Sequence, residues 1–399
     1  MRTRRIEELT PQDERAKPPT ALDSPAWLAA GNARVAAYLQ RAKVGWPDGV
    51  AINKDKKTSK GFTRFPIGDL SSGLAESDEV KKAEAGGKGG WQKATEHTTE
   101  QPFNRGIVLV PNALLTQAPA DIDVFFHLHG HGIGWREGSK TADGKSAPVG
   151  FAFKDAVRDE VAEDIEGQLP PTVAAVMLQG GAFSQFGALD ANAVVLEALH
   201  AVPGWNAVKP RRIVFGAYSG GGGTAAGLLG SGKDKAADRQ AERMKDLKGL
   251  SEVVLFDAIN GPKSELPAAK SFVKDQIDVD IGRLSAEADV DKQKEYLKSS
   301  MRFRGFFTAG SPLYKPLYTE LFEETVLAKR LWKGKPDSQK HGTVPKALAA
   351  KISQPVWELL ADNYVIAPRG QGHETKLAGG NLKEAMDALT PDAAPTYPT

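Results

Sequence analysis

From residue 105 onward the chain alternates between short apolar runs and longer mixed stretches. The runs are "RGIVLVP" (105–111), "IDVFFHLHG" (122–130), "TVAAVMLQGG" (172–181), "RRIVFGAYSG" (211–220), "SEVVLFDA" (251–258), "RFRGFFTAG" (302–310) and "YVIAPRGQGH" (364–373). They are β-branched or otherwise apolar, and most are nearly continuous with little polar alternation. That pattern predicts strands buried on both faces. Between most of them lie stretches with helical periodicity, such as "DANAVVLEALHAV" and "KQKEYLKSSM". Strands of this kind alternating with helices predict an α/β fold: a mainly parallel, doubly wound sheet covered on both faces. In such sheets the chemistry gathers at the carboxyl ends of the strands.

The first hundred residues read differently. Residues 1–24 are rich in charge and proline, and a helix is expected from Ser24-Pro25, with Trp27, Gly31, Val35 and Leu39 recurring at helical spacing. Residues 45–105 are polar and rich in glycine and lysine, which predicts surface loops with at most a short hairpin. The expected organisation is an N-terminal extension over 1–104, a catalytic domain over 105–385 and a tail over 386–399. Segments at about 263–300 and 313–360 are expected as helical insertions shaping a lid or pocket.

Composition narrows the field by exclusion. Among 399 residues, 52 Lys and Arg nearly balance 50 Asp and Glu, so no overall field favours nucleic acid or an anionic membrane. The longest apolar runs fall short of a membrane span. The basic start "MRTRRIEELTPQDERAKPP" is followed by no apolar stretch of signal-peptide type, so the expectation is a cytoplasmic protein, with signal-independent export left open. With no cysteine, there are no disulfides, thiolate metal sites or cysteine nucleophiles.

The chemistry centres on "VFGAYSGGGG" (214–223). A serine hydroxyl needs a neighbouring imidazole to take its proton, exposure, and donors aimed at the developing oxyanion. A sharp turn from strand to helix meets the last two needs if the residues around it are small. Ala217-Tyr218-Ser219-Gly220-Gly221 fits the G-x-S-x-G elbow with alanine in the first glycine position. The bland alternative is a Gly/Ser loop without chemistry, but such a loop does not explain a β-branched run that stops abruptly at Tyr218-Ser219.

Two further stretches join it: "FFHLHGHGIGW", a strand ending in His-Gly-His-Gly, and "YVIAPRGQGHE", with His373 in a glycine-rich loop after the last expected strand. Together the three resemble the α/β-hydrolase fold family, in particular its esterase and lipase-like members, over about residues 105–380. Gly130-His131-Gly132 follows what would be the third strand, the elbow at Ser219 the fifth, and His373 the eighth. The order Ser, Asp, His is also the family's. The resemblance implies Ser219 as nucleophile and His373 as general base. It implies the Gly220 N–H as one oxyanion donor and the N–H of His131 or Gly132 as the second. The acid departs from the pattern, because the family usually places it after the seventh strand and "FFTAGSPLY" has no carboxylate there. Asp257, after the sixth strand, is the preferred acid, a location some members use; Asp362, preceding the last strand, is the weaker choice. The implied activity is hydrolysis of a carboxylic ester (a small molecule, a lipid or a polymer), with amide, peptide and thioester substrates open. It implies no metal and no organic cofactor.

Two rivals come from other classes. His127, His129 and His131 could form a metal cluster, since imidazoles two apart share a strand face. That reading lacks further ligands, and the expectation is that His127 is a satisfied core residue while His129 braces the oxyanion loop. The second rival is a non-catalytic binding protein on a hydrolase scaffold, favoured weakly by the alanine in the elbow. "GLLGSGKD" (227–234) approaches a phosphate loop, but Asp234 stands where a magnesium-holding hydroxyl belongs; it reads as a glycine helix stop. "QIDVDIG" and "EADVDK" lack the ligand count of a calcium loop.

Overall fold

All seven apolar runs become strands of one sheet, and an eighth strand comes from a segment whose sequence reads as loop. The structure is a computed structural model that describes residues 61–67, 106–130, 136–140, 146–149, 165–178, 190–230, 249–263, 265–327, 342–369 and 381–386. The expected helix from Ser24, the charged stretch at 233–248 and the tail beyond Met386 lie outside the described residues. In chain order the elements begin with β1 (Phe62–Ile67), β2 (Gly106–Pro111), β3 (Asp121–Leu128) and a hairpin of β4 (Arg136–Lys140) and β5 (Ser146–Val149). There follow β6 (Val173–Leu178), α1 (Ala191–His200), β7 (Lys209–Tyr218), α2 (Gly222–Leu229) and β8 (Leu250–Phe256). The last are α3 (Glu265–Ala286), α4 (Val290–Ser299), β9 (Arg302–Thr308), α5 (Tyr314–Glu320), α6 (Gln354–Asp362), β10 (Tyr364–Arg369) and α7 (Asn381–Met386).

The main sheet has eight strands in the order β1-β2-β6-β3-β7-β8-β9-β10. β2 runs antiparallel to both its neighbours, and every other neighbouring pair is parallel. The architecture is therefore α/β with a mixed, mostly parallel sheet, of the type the α/β-hydrolase resemblance implied. The ordinals agree as well, because β1 supplies the first strand that the sequence pattern lacked. Counted in chain order among the strands of the main sheet, the β3 end is third, the β7 end fifth, the β8 end sixth and the β10 end eighth.

Burial on both faces explains the absence of polar alternation. Val124, Phe126, Leu128, Phe215, Val253 and Leu255 point to one face, where α1, α2, α3 and α6 pack. Phe125, Ala175, Val214, Val254 and Phe256 point to the other, against Ile165, Leu169 and the α7 residues Leu382 and Ala385. Helix ends follow from the sequence. The Asp190 side chain accepts the Ala193 N–H at 3.1 Å to start α1, and Gly230, at φ +94°, stops α2. Within the segment expected as the first insertion, α3 and α4 carry the crossover from β8 to β9, and Leu266, Phe272, Val273 and Ile277 of α3 enter the core. Asp280 of α3 is the buried exception; its carboxylate accepts from Tyr296 at 2.5 Å and Tyr364 at 2.7 Å, tying α3 to α4 and β10. Burial pushes that carboxyl above its ordinary range.

The amino end of the parallel strands carries paired charges. The fully buried Asp123 of β3 accepts two bonds from each of Arg211 and Arg212 on β7, at 2.6 to 3.2 Å. One register further, buried Glu252 of β8 pairs with Arg304 of β9 at 2.8 Å. Among the described residues, no helix is long and apolar enough to cross a membrane.

A buried carboxylate tolerates loss of its partner badly. Arg304→Met is expected to cost about 3 to 5 kcal/mol by leaving Glu252 charged in the core. Combining it with Glu252→Leu should recover most of that loss. Urea unfolding of the two variants and the parent checks both outcomes.

Candidate functional site

Ser219 stands where β7 ends. The strand runs buried to Tyr218, a single 3-10 turn spans Ser219–Gly221, and α2 begins at Gly222. Ser219 has φ +49°, a left-handed conformation that an ordinary side chain adopts only under constraint, at about 1 to 3 kcal/mol. Asp257, one residue past β8, has φ +46°, and no other non-glycine residue among those described has positive φ. The two strands are neighbours, with Tyr218 opposite Phe256, so both strained residues leave adjacent strand ends at the same level.

The turn is held by close packing. A Cβ on Gly222 would stand 1.6 Å from the Ala258 carbonyl oxygen, and one on Gly221 would stand 2.8 Å from that of Leu128. Glycine is therefore demanded by backbone running against backbone on two sides. Asn260 adds a tether: its side-chain amide donates to the Ser219 carbonyl at 2.7 Å, while the Tyr314 hydroxyl donates to the Asn260 side-chain oxygen at 3.2 Å.

Asp257 is fully buried, and its carboxylate faces β9. One oxygen accepts the Thr308 N–H at 2.8 Å and the other the Thr308 hydroxyl at 2.6 Å. Its own N–H donates to the Phe306 carbonyl at 2.9 Å. Two phenols stand near it. Burial, and then the Asp257 charge, push the Tyr314 hydroxyl up to about 12, and the same two causes hold the Tyr318 hydroxyl well above its ordinary value. Both stay protonated donors at neutral pH; Tyr318 also receives the Ala258 N–H at 3.0 Å. Asp362 lies elsewhere, exposed on the last residue of α6 at the amino end of β10.

The end of β3 completes the described part of the site. Gly130 abuts the Tyr218 ring and Ser219, so the loop leaving β3 passes beside the serine. His129 is buried, with Nδ1 2.8 Å from the Gly130 carbonyl oxygen, in keeping with a bracing role. His127 is in the core, stacked on Phe125 with ring centroids 5.4 Å apart. Contrary to expectation its hydrogen bonding is incomplete, since Nδ1 is buried and has no partner among the described residues. Burial, with a smaller contribution from His129, lowers its pKa from 6.5 to about 3, so the ring is neutral at ordinary pH. Among the described residues no group of three or more His, Asp or Glu side chains is gathered as a metal ion would require. His131, Gly132 and His373 lie outside the described residues; Gly220 is half-buried in the first turn after β7.

The structure thus brings Ser219, Gly220, Asp257 and the β3 end together at one edge. Sequence reasoning missed Asn260, Thr308, Tyr314 and Tyr318. An asparagine three residues past Asp257 and a threonine closing the next strand have no signal of their own. They are found only through the groups they hold.

No protein-family model matches the chain, and no curated protein sequence does. Solved structures match at low identity. An inhibited esterase B from Lactobacillus rhamnosis is 11% identical, with 75% of this chain and 81% of that chain covered and a TM-score of 0.31. A lipase/esterase from Lactobacillus plantarum is 10% identical, with 55% and 82% covered and a TM-score of 0.28. The fold assignment rests on the strand order and not on these superpositions.

Two outcomes follow from this packing. Gly222→Ala should fail to fold or lose several kcal/mol, since neither backbone can retreat, whereas Gly223→Ala, with open space around it, should melt like the parent. Thermal melting of the purified proteins distinguishes them. The second concerns pH. The unfolded chain takes up the His127 proton near pH 6.5 and the folded protein only near 3. This contribution to stability is therefore whole above 6.5 and declines as the pH falls through that window. Between pH 7 and pH 5 the parent should lose about 2 kcal/mol more than His127→Leu, read from urea midpoints at the two pH values.

Proposed function

We propose that this protein is a serine hydrolase that cleaves a carboxylic ester through a Ser219-His373-Asp257 triad and an acyl-enzyme intermediate. The Ser219 hydroxyl attacks the acyl carbon while the His373 imidazole takes its proton. Asp257 holds the imidazole in the required tautomer and stabilises its cation. The oxyanion accepts from the Gly220 N–H, at the positive end of α2, and from the N–H of His131 or Gly132 beyond Gly130. Collapse of the tetrahedral species expels the alcohol, which takes the proton from His373. Water, deprotonated by the same imidazole, then attacks the acyl carbon and frees Ser219. The substrate is a small-molecule, lipid or polymer ester, and no cofactor enters any step.

The observation that carries this reading is the left-handed Ser219, in a turn whose glycines pack directly against the backbone of Ala258 and Leu128. Strain of about 1 to 3 kcal/mol at a serine only 6% exposed, kept by glycines that admit no side chain, suits a hydroxyl fixed in one orientation for attack. A Gly/Ser loop without chemistry has no use for it. Asp257, strained in the same way on the next strand end, supports the acid assignment.

The test is labelling by a fluorophosphonate probe together with hydrolysis of short p-nitrophenyl esters. The parent should label and turn over. Ser219→Ala should do neither, with turnover down by roughly four to six orders of magnitude. Asp257→Asn should lose about four orders and Asp362→Asn almost nothing. His131→Ala, which keeps its backbone N–H, should retain hydrolysis within about two orders of the parent, and chelators should have no effect. Full turnover by folded Ser219→Ala, or activity lost to chelation and restored by metal, overturns the assignment.

A further inference from the structure

We propose that Thr308 is the positioning residue of the catalytic acid: its main-chain N–H and its hydroxyl grip both oxygens of the Asp257 carboxylate and fix its plane at the carboxyl edge of the sheet. The proposal rests on the triad reading above and adds a residue to it.

A carboxylate offers about four acceptor sites, and two donors from a single residue, one on each oxygen, fix its plane. Thr308 supplies both donors, at 2.8 and 2.6 Å, the second in the range of a charge-assisted O–H···O bond. The Asp257 N–H to the Phe306 carbonyl, at 2.9 Å, closes a third link, so the end of β8 is stitched to the end of β9. The direction of the stitching matters. The Ala309 N–H donates to the Arg369 carbonyl at 3.0 Å, carrying the connection on to the end of β10, four residues before His373. Asp257 is fully buried and strained at φ +46°, which a residue merely closing a loop does not need. The end of the seventh sheet strand, β9, is where the resemblance leads one to expect the acid itself. Here a threonine stands there and holds a carboxylate reaching over from the sixth.

The experiment measures p-nitrophenyl ester hydrolysis and thermal melting of the full chain for Thr308→Val and Thr308→Ser, each alone and combined with Asp257→Asn. Thr308→Val keeps the shape and the main-chain donor but loses the hydroxyl. It should lower kcat about tenfold or more at unchanged KM, the size of a coupling between hydrogen-bonded neighbours. Thr308→Ser should return to within about threefold of the parent. In the Asp257→Asn background the valine substitution should change nothing further, because Thr308 acts only through that carboxylate. If the valine variant does not melt cooperatively, Thr308→Ala is read in its place. A folded Thr308→Val with parental kcat, or an equal loss with and without Asp257, overturns the proposal while leaving the triad standing. Parental turnover in Ser219→Ala and Asp257→Asn overturns the triad and this role with it.

Discussion

The site depends on one steric constraint: the first turn of α2 lies directly on the carbonyl of Ala258, in the loop leaving the neighbouring strand. Because that contact is backbone against backbone, the two strand ends cannot separate or rotate independently. Ser219 is pressed into its left-handed conformation on one side of it and Asp257 on the other. The Asn260 amide, two residues past Ala258, fastens the serine carbonyl from the same loop. Small side chains here therefore do a geometric task, bringing two polar groups to the same level on adjacent strands.

Charge is distributed along the sheet in a matching way. Full ionic pairs, Asp123 with two arginines and Glu252 with Arg304, sit near the amino ends of the strands. At the carboxyl ends the described groups are instead linked through neutral donors: Thr308 to Asp257, Tyr314 to Asn260, Asn260 to Ser219.

Much of this was legible in the residue pattern because burial on both faces writes itself as continuous apolar runs. All seven runs became strands, and the order of serine and aspartate ends followed from them. β1 was hidden because two polar residues, Thr63 and Arg64, separate Phe62 from Phe65, a short mixed signal inside a lysine- and glycine-rich segment. The tight strand-to-helix turn at Ser219 was readable from its glycines; its left-handed backbone was not. Nor were its fastenings, since they depend on which loops the fold lays side by side. His127 shows the opposite failure: a histidine in an apolar strand reads as a core residue with its bonds made, yet its Nδ1 has no partner among the described residues.

β1 has a consequence beyond topology. It forms one rim of the sheet and pairs along the whole of β2, from Phe62 opposite Pro111 to Ile67 opposite Gly106. Without it, β2 would present a row of open amide and carbonyl groups flanked by fully buried valines, a template for joining other chains edge to edge. The segment is thus a guard against self-association as well as a strand. A shortened version of this protein that begins at the apolar core, discarding the polar region before residue 105 as dispensable, would uncover that edge. The boundary for any trimmed or fused variant lies ahead of Gly61, whose carbonyl receives the Asn112 N–H at 2.8 Å and fastens the start of the strand.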